Sequence, residues 1–215
     1  MRLVGRVAFP LFAFMIAEGA AHTRDRRRYA LRLLLLAVIS EIPFDLVAGG
    51  TWLFPADQNT VFTLLLGLLA VWAGDLICGT GSGVSYGNRE KTGDGGRKAV
   101  GQRRFPLEYE RYIRVLAAVP FGLAAYYLKT DYGFMGVLLI VILYTLRTEP
   151  QLRTAVCAVF LFYMYMDFYG AAACVAIFLI NRYNGEKGGG NGRIFYLFYP
   201  LHLLVIRGIK MAVGL

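Results

Sequence analysis

Two histidines, His22 and His202, and a few carboxylates stand within otherwise apolar stretches, and acid–base chemistry is what such groups offer. Ionisable side chains at bilayer depth are costly, so they face a bundle interior and mark a pathway or a site. Glu18 and His22 lie four apart on one helix face, where a Glu can hold the imidazole tautomer as in a general-base dyad. The same spacing suits an ion pair closing the helix. Glu41 and Asp45 repeat it in SEIPFD, with Pro43 between them kinking or ending the helix. Two carboxylates on one face repel unless a cation or a shared proton intervenes. Asp45 is expected at the outer surface in a packing role, and Glu41 deeper, with function and packing both open. His202, in IFYLFYPLHLLVI, is the sharpest single feature. It falls about 12 Å beyond Ile194 along a helix rising 1.5 Å per residue, close to the middle of a bilayer. Pro200 loosens the local ladder, and the nearby phenols of Tyr196 and Tyr199 can hydrogen-bond the ring. Core packing is the competing role for this histidine.

Other polar residues have simpler expectations. Asn59 and Asp131 suit helix N-caps. Asp75 and Arg147 fall in one half of the membrane and are placed to pair. The aromatic run over 160–169 reads as an outer-interface belt. Cys78, Cys157 and Cys174 stand far apart, without a CxxC or Cys/His spacing, so neither a metal site nor a disulfide framework is implied.

The elements that must position these groups follow from composition. With 57 % apolar and 17 % charged residues and a positive mean hydropathy, the 215-residue chain has too few polar side chains to cover a water-facing surface. It reads as one all-α domain over 1–215, a polytopic transmembrane bundle of about eight helices in the inner (plasma) membrane. The expected spans are 3–21, 29–47, 60–78, 113–128, 132–148, 152–165, 168–180 and 194–213. A flexible, basic, Gly-rich loop occupies 79–110; its GTGSG lacks the strand and the Lys-Ser/Thr of a phosphate cradle. Odd-numbered loops and their margins carry Arg24, Arg26, Arg27, Arg28 and Arg32, then Arg89, Lys91, Arg97, Lys98, Arg103, Arg104, Arg111 and Arg114, then Arg147 and Arg153, then Arg182, Lys187 and Arg193. Even-numbered loops hold only Lys129. The positive-inside rule therefore puts the odd loops in the cytoplasm and both termini outside. Merging 152–180 into one span would reverse the last basic loop, so the two short helices stay separate. The net charge of +9 is explained by orientation and by lipid headgroups as partners, not by nucleic acid.

The blocks RVAFPLFAFMIAEGAAHTRDRRRYALRLLLLAVISEIPFDL, NTVFTLLLGLL, DYGFMGVLLIVILYTLR and FYLFYPLHLLVI resemble, in order, the TraX family. That family is named for the membrane protein that N-acetylates the pilin of F-type conjugative pili, and its members are grouped with integral-membrane acyltransferases. The resemblance places Arg6, Glu18, His22, Thr23, Arg24, Arg32, Glu41, Asp45, Asn59, Asp131, Arg147, Tyr199, Pro200 and His202 at motif positions. It also implies an apolar helix with an Asp-His pair ahead of the first block in relatives, where this sequence starts at the equivalent of Arg2-Leu3-Val4-Gly5. The implied activity is acetyl transfer from acetyl-CoA to an amine or hydroxyl of a protein or small-molecule acceptor, without a metal. Such transfer needs a base, donors for the tetrahedral oxyanion, and a hold on the anionic CoA. His202 or His22 is the expected base or acetyl carrier, Glu18 or Glu41 the residue orienting it, and Tyr199 the oxyanion donor. Arg24, Arg26, Arg27, Arg28 and Arg32 are expected to hold the donor's phosphates. A transporter or flippase would also use midplane His and Glu, and a non-catalytic membrane assembly protein is the third reading.

Overall fold

A computed structural model describes residues 2–23, 25–50, 52, 57–80, 105–165, 168–185 and 192–213. Among these residues the chain forms eight α-helices and no strand: α1 (Arg2–His22), α2 (Arg26–Ala48), α3 (Thr60–Cys78), α4 (Leu107–Tyr127), α5 (Gly133–Thr145), α6 (Pro150–Tyr165), α7 (Phe168–Asn181) and α8 (Gly192–Val213). The ends of α3 coincide with the expected span because both are signalled locally. Asn59 accepts from the Val61 amide at one end, and Gly79, at φ 74°, turns left-handed at the other. α2 starts ahead of its apolar period, on Asp25, whose carboxylate accepts from the Arg28 amide. α4 starts at Leu107, inside the segment read as loop. Glu108 and Glu110 in its first turn complement the positive end of the helix dipole. The Gly-rich remainder, 81–104, lies outside the described residues.

Asp131 does not cap α5, contrary to expectation. Tyr132 occupies the cap without a side-chain bond, and the Asp131 carboxylate instead accepts from the Thr60 hydroxyl at 2.7 Å. A short parallel bridge fixes this arrangement. The Gln58 amide donates to the Lys129 carbonyl at 3.0 Å and the Asp131 amide to the Gln58 carbonyl at 3.1 Å, clipping the α2–α3 and α4–α5 connections together.

The core runs through α1, α3 and α5, where Phe9, Ala13, Leu68, Val137, Ile140 and Leu143 are buried. α4 lies against α3 and α5, α7 against α1 and α6, and α2 joins α3 to α8. Gly136 lets α5 approach α1 and α3: a Cβ there would stand 2.5 Å from Thr63 Cγ2 and 2.6 Å from Tyr132 Cβ. Gly136→Ala should therefore destabilise the protein by about 1–3 kcal/mol through overpacking, read as a lower midpoint of thermal unfolding in detergent. Gly208→Ala, with nothing within 4 Å of the added carbon, is the neutral control. Equal midpoints for the two variants would show that the α3–α5 approach has room to spare.

α2 is apolar outside and polar inside. Leu31, Leu34, Leu35, Val38, Ile39 and Ile42 form an exposed stripe at helical spacing, with Leu35 61 % exposed, while Ser40 and Asp45 are buried. α4, α6 and α8 also present large apolar side chains outward, among them Leu116, Phe162 and Val205. Among the described residues, α3 alone combines the length and the apolar composition for a bilayer crossing; α5 is apolar but has only 13 residues.

Candidate functional site

The polar residues gather at the two ends of the bundle. One set surrounds Thr60 and Asp131, the outer end in the expected topology; the other surrounds Asp75, the inner end.

At the outer end, Glu41 of α2 is tied to the start of α3. Its Oε2 accepts from Asn59 Nδ2 in a short hydrogen bond and from the Asn59 amide at 3.3 Å. Asn59 is fully buried, and its side chain also donates to the Ala37 carbonyl at 2.8 Å and accepts from the Val61 amide at 2.9 Å. One residue thus caps α3, grips α2 and orients a carboxylate. The next residue, Thr60, links Asp131 to the Tyr199 hydroxyl of α8, which lies within hydrogen-bonding reach of it and within electrostatic range of Glu41. Crowding by the chain, with repulsion from Asp57, raises the pKa of the Asp131 carboxyl despite the Thr60 bond, although part of the residue's surface remains exposed. Tyr132 and Tyr165 bring their hydroxyls together beside this group. Phe9 stacks on Tyr132 with ring centroids 3.5 Å apart, and Arg6 lies over Tyr165 at 5.1 Å. The aromatic run is accordingly divided: Phe162 and Tyr163 face outward as a belt would, and Tyr165 turns inward.

His202 stands one turn beyond Phe198 on α8, partly buried, stacked on the Phe198 ring at 5.3 Å and edge-on to Tyr199 at 5.2 Å. Its Nδ1 lies 3.1 Å from the Phe198 carbonyl. A carbonyl only accepts, so Nδ1 carries the proton and Nε2 keeps its lone pair. Glu41, Tyr199 and His202 therefore belong to one end of the molecule. Asp45, expected at the surface, is 2 % exposed.

Glu18 and His22 are at the other end. His22 Nδ1 donates to the Glu18 carbonyl at 2.9 Å and stands 3.7 Å from its carboxylate, with the imidazole 68 % exposed. That geometry closes a helix end and does not join the outer group. The expected Asp75–Arg147 pair is replaced by a larger cluster. Asp75, 1 % exposed, meets Arg26 at 2.6 Å, Arg114 at 2.9 Å and the Tyr144 hydroxyl at 2.7 Å, and Arg147 stacks over the Tyr144 ring at 4.4 Å. Arg26, one of the five arginines expected to face a phosphate, is thus turned inward. Arg28 pairs with Asp25 at 2.9 Å, Arg32 Nε donates to the Arg28 carbonyl at 3.1 Å, and Arg27 and Arg32 are exposed. Arg24 and the side chain of Tyr196 lie outside the described residues. Among the described residues no cluster of His, Cys, Asp and Glu is suited to a metal ion.

Among the residues that assemble the outer group, Asn59 and Asp131 read from sequence as caps and Tyr165 as part of a belt, while Thr60 and Tyr132 read only as the starts of spans. The signal that could have joined them is that Asn59 and Asp131 sit at motif positions of the resembled family. Comparison with known proteins agrees with that resemblance. A probable fimbrial assembly protein FimC of serogroup H1 from Dichelobacter nodosus is 27 % identical over 222 residues, covering 98 % of this chain and 83 % of its own length. No solved structure matches. The family model described as TraX protein matches residues 1–80 and 104–210, and the chain belongs to the TraX family.

Proposed function

We propose that the protein is a multi-pass inner-membrane acyltransferase of a pilus or fimbrial system, transferring acetyl from acetyl-CoA to an amine or hydroxyl acceptor. The membrane reading is supported by the inversion of α2, since a water-facing helix would not display Leu31, Leu35 and Ile39 while burying Ser40 and Asp45. The pilus context is supported by the family and by the name of the Dichelobacter relative.

The observation that carries the chemistry is the outer group: a histidine with Nε2 left as acceptor, beside a phenol, a hydroxyl and two carboxylates linked by hydrogen bonds or electrostatic reach. His202 Nε2 takes the proton from the acceptor as its nitrogen or oxygen bonds to the acetyl carbon. Tyr199 donates to the oxyanion, and the thioester carbon–sulfur bond breaks as the CoA thiol leaves with a proton. Burial, Thr60 and Asp131 dominate the environment of Tyr199, and Glu41, fixed by Asn59, adds to it. Exposed Arg27, Arg28 and Arg32 suit the donor's phosphates by their charge and forked donors. Arg26 and Glu41 stand about 22 Å apart along α2 at 1.5 Å per residue, so the donor has to lie lengthwise in the bundle, its phosphates at the inner end and its thioester toward His202. Purified protein in proteoliposomes should transfer radiolabelled acetyl from acetyl-CoA to an amine-bearing peptide or small amine. Donor binding without transfer to any amine or hydroxyl would refute the enzyme reading.

The topology carries its own prediction. A cysteine at Arg27 should resist a membrane-impermeant thiol reagent in intact cells, and one at Trp52, 72 % exposed, should react. Labelling at Arg27 would invert the assignment.

A further inference from the structure

Asp45 is a buried carboxylate without a hydrogen-bond partner among the described residues. Its side chain is enclosed, at 2 % residue exposure, and Oδ1 is wholly shielded and unbonded. Its own backbone is satisfied, the carbonyl accepting from the Gly49 amide at 2.8 Å, so the deficit belongs to the side chain. Buried carboxylates are ordinarily neutralised by a cation or by several donors, because desolvation of an isolated charge is expensive. Asp45 makes no ion pair among the described residues, and a second acid shares its helix face. Glu41 lies one turn earlier on the same helix face and within electrostatic range, and its Oε2 is already committed to Asn59. A base on the neighbouring α8, Lys210, donates its ammonium to the Val47 carbonyl at 3.0 Å and makes no ion pair with Asp45. The acid pair therefore has a buried oxygen without a partner and, among the described residues, no ion pair.

We propose that Asp45 and Glu41 form a binding site for a compact monovalent cation, either a primary ammonium group or an alkali-metal ion. Both present a small, concentrated positive charge, and both satisfy a carboxylate oxygen that no protein group reaches. Because α2 packs against α8 and Glu41 lies within electrostatic range of Tyr199 of α8, the bound cation draws the two helices together at the outer end. The site is independent of the acetyl-transfer reading, because its occupancy can be measured with no acyl donor present.

The test is thermal unfolding of the purified full chain in detergent at constant ionic strength, with N-methylglucamine exchanged for ethylammonium, Na⁺ or K⁺. The wild type should show a midpoint several degrees higher in one of the compact cations. A rise confined to ethylammonium identifies an amine site, and a rise with Na⁺ or K⁺ an alkali-ion site. Asp45→Asn should fold, because no protein cation is left unpaired, and should lose the dependence on cation. Glu41→Gln should weaken it. A wild-type midpoint indifferent to all three cations, or an equal rise in Asp45→Asn, would overturn the proposal.

Discussion

Converting His202 to Gln should lower acetyl transfer by about 10²-fold or more, the usual size of a general-base contribution, while expression, thermal midpoint and CoA binding stay close to wild type. The choice of Gln matters. Ala would remove the ring that stacks on Phe198 and meets Tyr199, so lost activity could then report a disturbed helix. Gln preserves much of that volume, and its amide can still donate to the Phe198 carbonyl, the bond now made by Nδ1. What Gln cannot do is accept a proton near neutral pH and release it. A merely packed His202 gives near-full transfer in the Gln variant, in which case the search for a base moves to His22 at the inner end. His22→Gln should leave turnover unchanged, because that imidazole is exposed and, among the described residues, bonded only to the Glu18 segment.

The prominence of His202 could be read from sequence because depth and motif select the same residue. Its surroundings could not. Asn59 was legible as the cap of α3, since capping is local, and Gly79 likewise marked the end of that helix. That Asn59 would also hold Glu41 depends on how α2 lies against α3, which no spacing within either helix encodes. Asp131 shows the same limit: its position before an apolar run is that of a cap, but its partner Thr60 comes from a distant connection brought close by the Gln58–Thr130 bridge. The early start of α4 was hidden for a different reason. Its first turns are charged and continue from a Gly-rich stretch, so the apolar period begins well after the helix does. Arg114 then reads as a loop-margin charge that orients the chain, whereas helix formation through Glu110 and Arg111 carries it to Asp75.

That hub carries the largest expected stability effect. Asp75→Asn should cost about 3–5 kcal/mol, seen as a thermal midpoint lower by on the order of 10 °C for a chain of this size. Asn is nearly isosteric and keeps one acceptor, so the loss reports charge. Arg26 and Arg114, with side chains 19 % and 12 % exposed, would both remain where Asp75 now compensates them. Glu110, 3.7 Å from Arg114, offsets only part of this, and Tyr144 would lose the carboxylate that its hydroxyl now reaches. Removing one of the stranded cations should restore part of the loss, so Asp75→Asn combined with Arg26→Met should unfold at a higher temperature than Asp75→Asn alone. Additive losses would mean that Arg26 gains its stability elsewhere, and an unchanged midpoint for the single variant would show that water compensates the arginines. The contrast with Asp45→Asn is physical: both positions are buried carboxylates, but one is paired with two arginines and the other makes no ion pair among the described residues. The first therefore holds the inner ends of α2, α3, α4 and α5 together. The second, with its unbonded oxygen, leaves the outer end of α2 open to stabilisation by the bound cation we propose.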